Sequence, residues 1–130
     1  ADLMRLGDLA LAGRMSELLE ELGRIPHGGS EAIPILRALQ RRLLMLAPLR
    51  SRIERGESLD GVMTSMGKAL FWKDKSLIQR LLSTWSAQRL AEAVSRVAQL
   101  ERQIMLSPLA DDAALGETLV TLARAAGRGR

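Results

Sequence analysis

Ile33 to Arg55, IPILRALQRRLLMLAPLRSRIER, is the stretch whose reading decides the fold. At 3.6 residues per turn, Leu36, Leu39, Leu43 and Leu46 fall on one stripe, and Arg37, Arg41, Arg52 and Arg55 gather on the opposite side. Such a segment is a helix with one side for a core and one for solvent or an acidic partner. Ser30 with Glu31 behind it is a start signal, Pro34 is tolerable in the first turn, and Gly56 suits the position just past the end. Pro48 is the flaw. It has no N–H for the carbonyl of Leu44, which predicts a bend between Leu44 and Pro48 at a cost of about 3 kcal/mol.

Outward from this helix the chain reads as further helices. Asp2 to Leu6 is the tail of a short helix or a turn, closed by Gly7, and Asp8 caps a helix to about Leu22 on the stripe Leu11, Met15, Leu18 and Leu22. Ile25 to Ser30, with its Pro-His-Gly-Gly run, is a loop. Ser58 caps a two-turn helix bearing Leu59, Val62, Met63 and Met66, which Gly67 closes. Lys68 to Lys73 is a connector. Asp74 or Ser76 opens a helix with Leu77, Ile78, Leu81 and Leu82 inward, and Ser86 caps another, to about Leu106, on Leu90, Val94, Val97, Leu100 and Ile104. Ser107-Pro108 stops it. Asp111 or Asp112 starts a last helix carrying Leu115, Leu119 and Leu122, and Gly127 to Arg130 should fray. The expectation is all-α: a single antiparallel array of about six helices over residues 1–130.

Composition agrees. The 130 residues are 47% hydrophobic and 26% charged, a globular balance, and only 2% aromatic, so Leu, Ala and Met build the core. The isoelectric point near 10.6 rests on a formal charge of only +4 in a chain without Tyr or Cys and with one His, so it is weak support for a nucleic-acid partner. Without cysteine there is neither a disulfide framework nor a Cys-based zinc site. No apolar run approaches the roughly 18 residues of a membrane span, and a cytoplasmic location is expected. The chain begins Ala-Asp in mid-pattern, as a piece cut from a longer protein would.

No chemistry-bearing constellation emerges. Gly61 to Ala69 imitates a phosphate loop, but five residues separate its glycines instead of four, and Ala69 stands where a Mg²⁺-holding hydroxyl is needed. His27 is alone on a loop, and the adjacent acids Glu20-Glu21 and Asp111-Asp112 read as solvated or helix-starting carboxylates. No cofactor is called for. Two features suit binding. The arginines Arg37, Arg41, Arg42, Arg50, Arg52 and Arg55 could meet phosphates or acidic side chains, against the plainer reading of a solvated face with local ion pairs. Phe71 and Trp72, if exposed, would anchor a partner; if buried, they fill a gap beside the short helix.

The order of the pieces carries a further signal. GDLALAGRMSELLEELG, ILRALQRRLLMLAPLRSRIERGES, FWKDKSLIQRLLSTWSAQRLAEAV, LERQIM and LGETLVTLA together resemble the C-terminal domain of the delta subunit of bacterial DNA polymerase III, over about Leu3 to Ala125. The resemblance is one of spacing rather than of a catalytic signature, and Met105 stands where many relatives have lysine. It implies a non-catalytic collar domain of an AAA+-like clamp-loader subunit. This domain would pack with gamma/tau and delta-prime, while the sliding clamp and DNA would be met by parts of the parent protein outside this chain. An independent helical nucleic-acid-binding module using the arginine stripe is the alternative.

Overall fold

The computed structural model describes residues 3–25, 32–67, 72–107 and 111–128, and among them it is all-α, with no strand. Among the described residues seven α-helices run in order: α1 (Leu3–Leu11), α2 (Met15–Gly23), α3 (Ala32–Glu54), α4 (Leu59–Met66), α5 (Lys75–Thr84), α6 (Ala87–Leu106) and α7 (Asp111–Arg128), with a 3₁₀ turn at Trp72–Asp74 before α5. Among the described residues no helix is long and apolar enough to cross a membrane. Ser30 and Glu31, expected to open α3, lie outside the described residues, as do His27 and the loop around it.

The hub is α3, which packs against α1, α4, α5, α6 and α7. Its leucine stripe is the reason: Leu36, Leu39, Leu43 and Leu46 are all buried, joined by Ile35 and Leu49. The partners supply matching stripes, including Leu6 and Leu9 from α1, Ile78, Leu81 and Leu82 from α5, Leu90, Val97, Leu100 and Ile104 from α6, and Leu115, Leu119 and Leu122 from α7. Removing these side chains from water is the main favourable term for the fold. α6 lies antiparallel to α3, because Arg37 pairs with Glu101 at one end and Glu54 accepts from the Ala87 N–H at the other.

α3 runs on as one helix through Pro48. Leu44 and Pro48 are both exposed, which puts the carbonyl deprived of its helical partner on the side where water can replace that bond. The C-terminal end matches the sequence reading. The Gly56 N–H bonds the Ile53 carbonyl and the Glu57 N–H bonds the Arg52 carbonyl, with Gly56 at φ +113°, the double closure of a Schellman motif.

Before α3 the expectation needs correcting. Gly7 does not close a helix and Asp8 does not cap one; both lie inside α1, which ends at Leu11. The stop comes six residues later. The Gly13 N–H bonds the Ala10 carbonyl, the Arg14 N–H bonds the Leu9 carbonyl, and Gly13 sits at φ +72°. Leu11 and Met15, read as one stripe, therefore belong to two helices, and this adds a helix to the predicted six. Gly7 has another role. A Cβ there would lie 3.2 Å from Leu39 Cδ1 and 3.6 Å from Leu39 Cα, so the missing side chain lets α1 approach α3 closely.

The other caps divide similarly. Ser58 and Ser86 each accept from a backbone N–H three residues on, at 3.0 and 3.1 Å, as expected. Asp74 precedes α5 but its side chain makes no capping bond. Helix α7 starts at Asp111 and continues to Arg128, past the point where fraying is expected.

Candidate functional site

The arginines of α3 and its C-terminal end separate by their partners into three groups. Arg42, three residues past Leu39, is on the inner side and 6% exposed. Its Nε and a terminal nitrogen donate to the two carboxylate oxygens of Asp8 at 2.9 and 3.0 Å, a bidentate bridge between α3 and α1. Arg42 is thus a structural residue, and its place among candidate contacts to a partner is withdrawn.

Arg50 and Arg52 are also engaged within the fold. Arg50 donates to Glu54 Oε2 at 2.8 Å and to the Leu82 carbonyl near the end of α5 at 2.7 Å. Glu54 Oε2 in turn accepts from the Ala87 N–H at 2.7 Å, so one pair fastens the end of α5 and the start of α6 to α3. These two donors hold the Glu54 carboxyl below the ordinary glutamate range, Arg50 being the larger cause. Arg52 grips both oxygens of Glu57 at 2.9 Å and reaches Ser65 Oγ at 3.0 Å. The same pairing lowers the Glu57 pKa and raises that of Arg52.

What remains for an outside partner is narrower. Arg37 pairs with Glu101 of α6 and donates to Gln40. Arg41 and Arg55 are exposed and have no ion pair within 4 Å among the described residues. Pro34, Arg41, Pro48 and Arg55 recur every seven residues along the outside of α3, with Arg37 and Leu44 in the neighbouring row, all exposed. Leu44 is 65% exposed. It borders a shallow apolar groove of about 250 Å³ with Gln40, Leu43, Val94, Val97 and Ala98. In the antiparallel register set by Arg37 and Glu101, exposed Ile33 and Met105 come to the same end of this α3–α6 face. An apolar strip edged by arginines is a surface suited to docking rather than to chemistry.

The other sequence candidates have their own fates. Phe71 lies outside the described residues, and Trp72 opens the 3₁₀ turn before α5. The aromatic that the structure makes important is Trp85, to which the sequence reading assigned no separate role. It is buried, and its Nε1 donates to the Leu11 carbonyl at 2.8 Å, satisfying an end group of α1 from the α5–α6 junction. Arg89 lies over the ring at 5.1 Å and donates to the Ala125 carbonyl of α7. Its signal was a lone Trp immediately before a capping Ser.

Of the rejected phosphate-loop imitation, Gly61 to Met66 lie in α4, with the Gly61 N–H bonded to Ser58 Oγ, while Lys68 and Ala69 lie outside the described residues. Glu20 and Glu21 pair with Arg24, each at 2.8 Å, as ordinary helix-surface carboxylates do. Among the described residues no group of three or more His, Cys, Asp or Glu side chains is placed to hold a metal ion. No known protein family, characterised protein or solved structure matches the chain.

Proposed function

We propose that this chain is a non-catalytic assembly domain, the collar domain of a clamp-loader delta subunit, which docks against sibling subunits of the gamma/tau and delta-prime kind. The family assignment rests on the spacing resemblance from Leu3 to Ala125. The observation that carries the docking role is the outward face of α3 and α6, where Leu44 stands exposed beside an apolar groove, with Arg37 and Arg41 at its edge. Exposed leucine costs less when a neighbour covers it, and the arginines select an acidic rim on that neighbour. The arginine stripe supports the nucleic-acid alternative poorly, because Arg42, Arg50 and Arg52 are engaged within the fold and no aromatic interleaves the free cations of α3.

The test is co-purification of the full chain with gamma/tau and delta-prime subunits. Binding that Leu44→Glu reduces at least tenfold is the expected result. Failure of the wild-type chain to bind either subunit, or micromolar binding to a short DNA duplex that salt steeply weakens, overturns the reading.

A further inference from the structure

α1 and α5 both pack on α3 and touch one another little, which leaves a cleft of about 390 Å³ between them. Its walls are two helix faces of the same period. α1 contributes Arg5, Asp8 and Leu9, and the turn after it Ala12; the 3₁₀ turn and α5 contribute Lys73, Ser76, Leu77 and Arg80. Arg14, preceding α2, closes one end. Four cations and one carboxylate therefore converge on a space the size of a small-ligand site, on a protein whose net charge is only +4.

The charges divide into a neutralised set and a surplus. Asp8 is committed to Arg42 from behind the cleft. Arg5 faces Glu17 and Glu21 at 3.7 and 3.4 Å, and Arg14 pairs with Glu17. Lys73 and Arg80, both exposed, have no ion pair within 4 Å among the described residues. Two helix starts adjoin the same space: α2 follows Arg14 and α5 follows Asp74, and neither receives a side-chain capping bond. Cations without an ion pair favour a compact oxyanion as guest. Leu9, Ala12 and Leu77 supply an apolar wall for the carbon part of such a molecule.

We infer that the α1–α5 cleft is a phosphate-binding site, with Lys73 and Arg80 as its principal contacts and Arg5 and Arg14 as its second rank. The cleft and the outward α3–α6 face share no residue, so failure of this site leaves the collar reading standing. The shared chemistry is a phosphate group, whether on a small phosphorylated molecule or along a nucleic-acid strand.

The experiment titrates the full chain at low salt with inorganic pyrophosphate and, separately, with a short single-stranded oligonucleotide, following heat and backbone amide shifts. Lys73→Ala with Arg80→Ala should weaken binding about tenfold. Arg102→Ala with Arg124→Ala, which removes the same charge from exposed sites elsewhere, should leave it within about twofold. Circular dichroism of both variants checks that the fold is retained. Cleft-dependent binding of pyrophosphate assigns a small phosphorylated ligand; cleft-dependent binding of the oligonucleotide alone assigns a strand's phosphates. Absence of binding by both probes at millimolar concentration overturns the site, and so does equal weakening in the two double variants.

Discussion

Arg41 and Arg42 are neighbours in sequence, one exposed and one buried, and the regions they belong to behave as two different materials. Around Arg42 the protein is dry and specified: Gly7 admits Leu39, Asp8 receives both arms of the guanidinium, and Leu36, Leu43 and Leu46 seal the surroundings. Around Arg41 the surface is open, with Leu44 uncovered and Pro48 tolerated because its missing hydrogen bond faces water. The inner side stakes stability on single contacts; the outer side stakes very little. Substitutions on the two sides should therefore differ more in energy than their chemistry suggests.

The largest effect is expected at the buried bridge. Arg42→Ala leaves the Asp8 carboxylate, 17% exposed, without its partner, and should cost about 3 kcal/mol in denaturant unfolding. The double variant Asp8→Leu with Arg42→Met removes both charges and should recover most of that loss, to within about 1 kcal/mol of wild type. Recovery would show that the damage lies in the stranded charge; a double variant as unstable as the single one would mean that the bridge itself stabilises the α1–α3 contact.

Next comes the pair of glycines flanking this contact. Gly7→Val forces branched carbons toward Leu39, which is buried, and should cost about 2 kcal/mol through overpacking. Gly13→Ala meets a different obstacle, the left-handed backbone at φ +72°, and should cost about 1 kcal/mol. Equal tolerance of both substitutions would sink the assignment of close approach to one glycine and chain reversal to the other.

These glycines also mark where local reading stops. Gly7-Asp8 has the local form of a helix stop followed by a cap, yet Leu39 and Arg42, more than thirty residues away, decide what each residue does. Signals that act within one turn were legible: Ser58 and Ser86 cap as expected, Gly56 closes α3, and the leucine stripe faces inward. Arg42 was legible in principle, since three residues past Leu39 is the inner side of a helix, but the cluster of arginines invited a single surface reading. The exposed outer face of α3 follows from the same periodicity. The α1–α5 cleft does not, because Arg5 and Arg80 meet only once both helices have packed on α3.

At the rim of α3 the effects become smaller and depend on pH. Glu54 and Glu57 have pKa values below the ordinary glutamate value of about 4.3, so each contributes stability that is complete above that value and is lost as pH falls through the lower, folded-state pKa. Unfolding followed from pH 7 to pH 2 should show Glu54→Gln less stable than wild type at neutral pH, by less than either glycine variant. The two should converge in acid, once the wild-type carboxylate is protonated. A constant gap across that range would assign the effect to packing and remove the carboxylate from the account of how α6 is fastened to α3.

The smallest effect on stability should come from the outermost side chain. Leu44 has little burial to lose, so Leu44→Glu should change the unfolding free energy by no more than about 0.5 kcal/mol. The glutamate would nevertheless place a carboxylate beside the apolar groove of Leu43, Val94 and Val97, where a docking subunit would have to desolvate it. A surface maintained for assembly loses its partner under this substitution while the isolated domain melts as before. A large fall in melting temperature would instead mean that Leu44 is covered from within the chain. The contrast between the two sides of α3 would then fail at its outer edge.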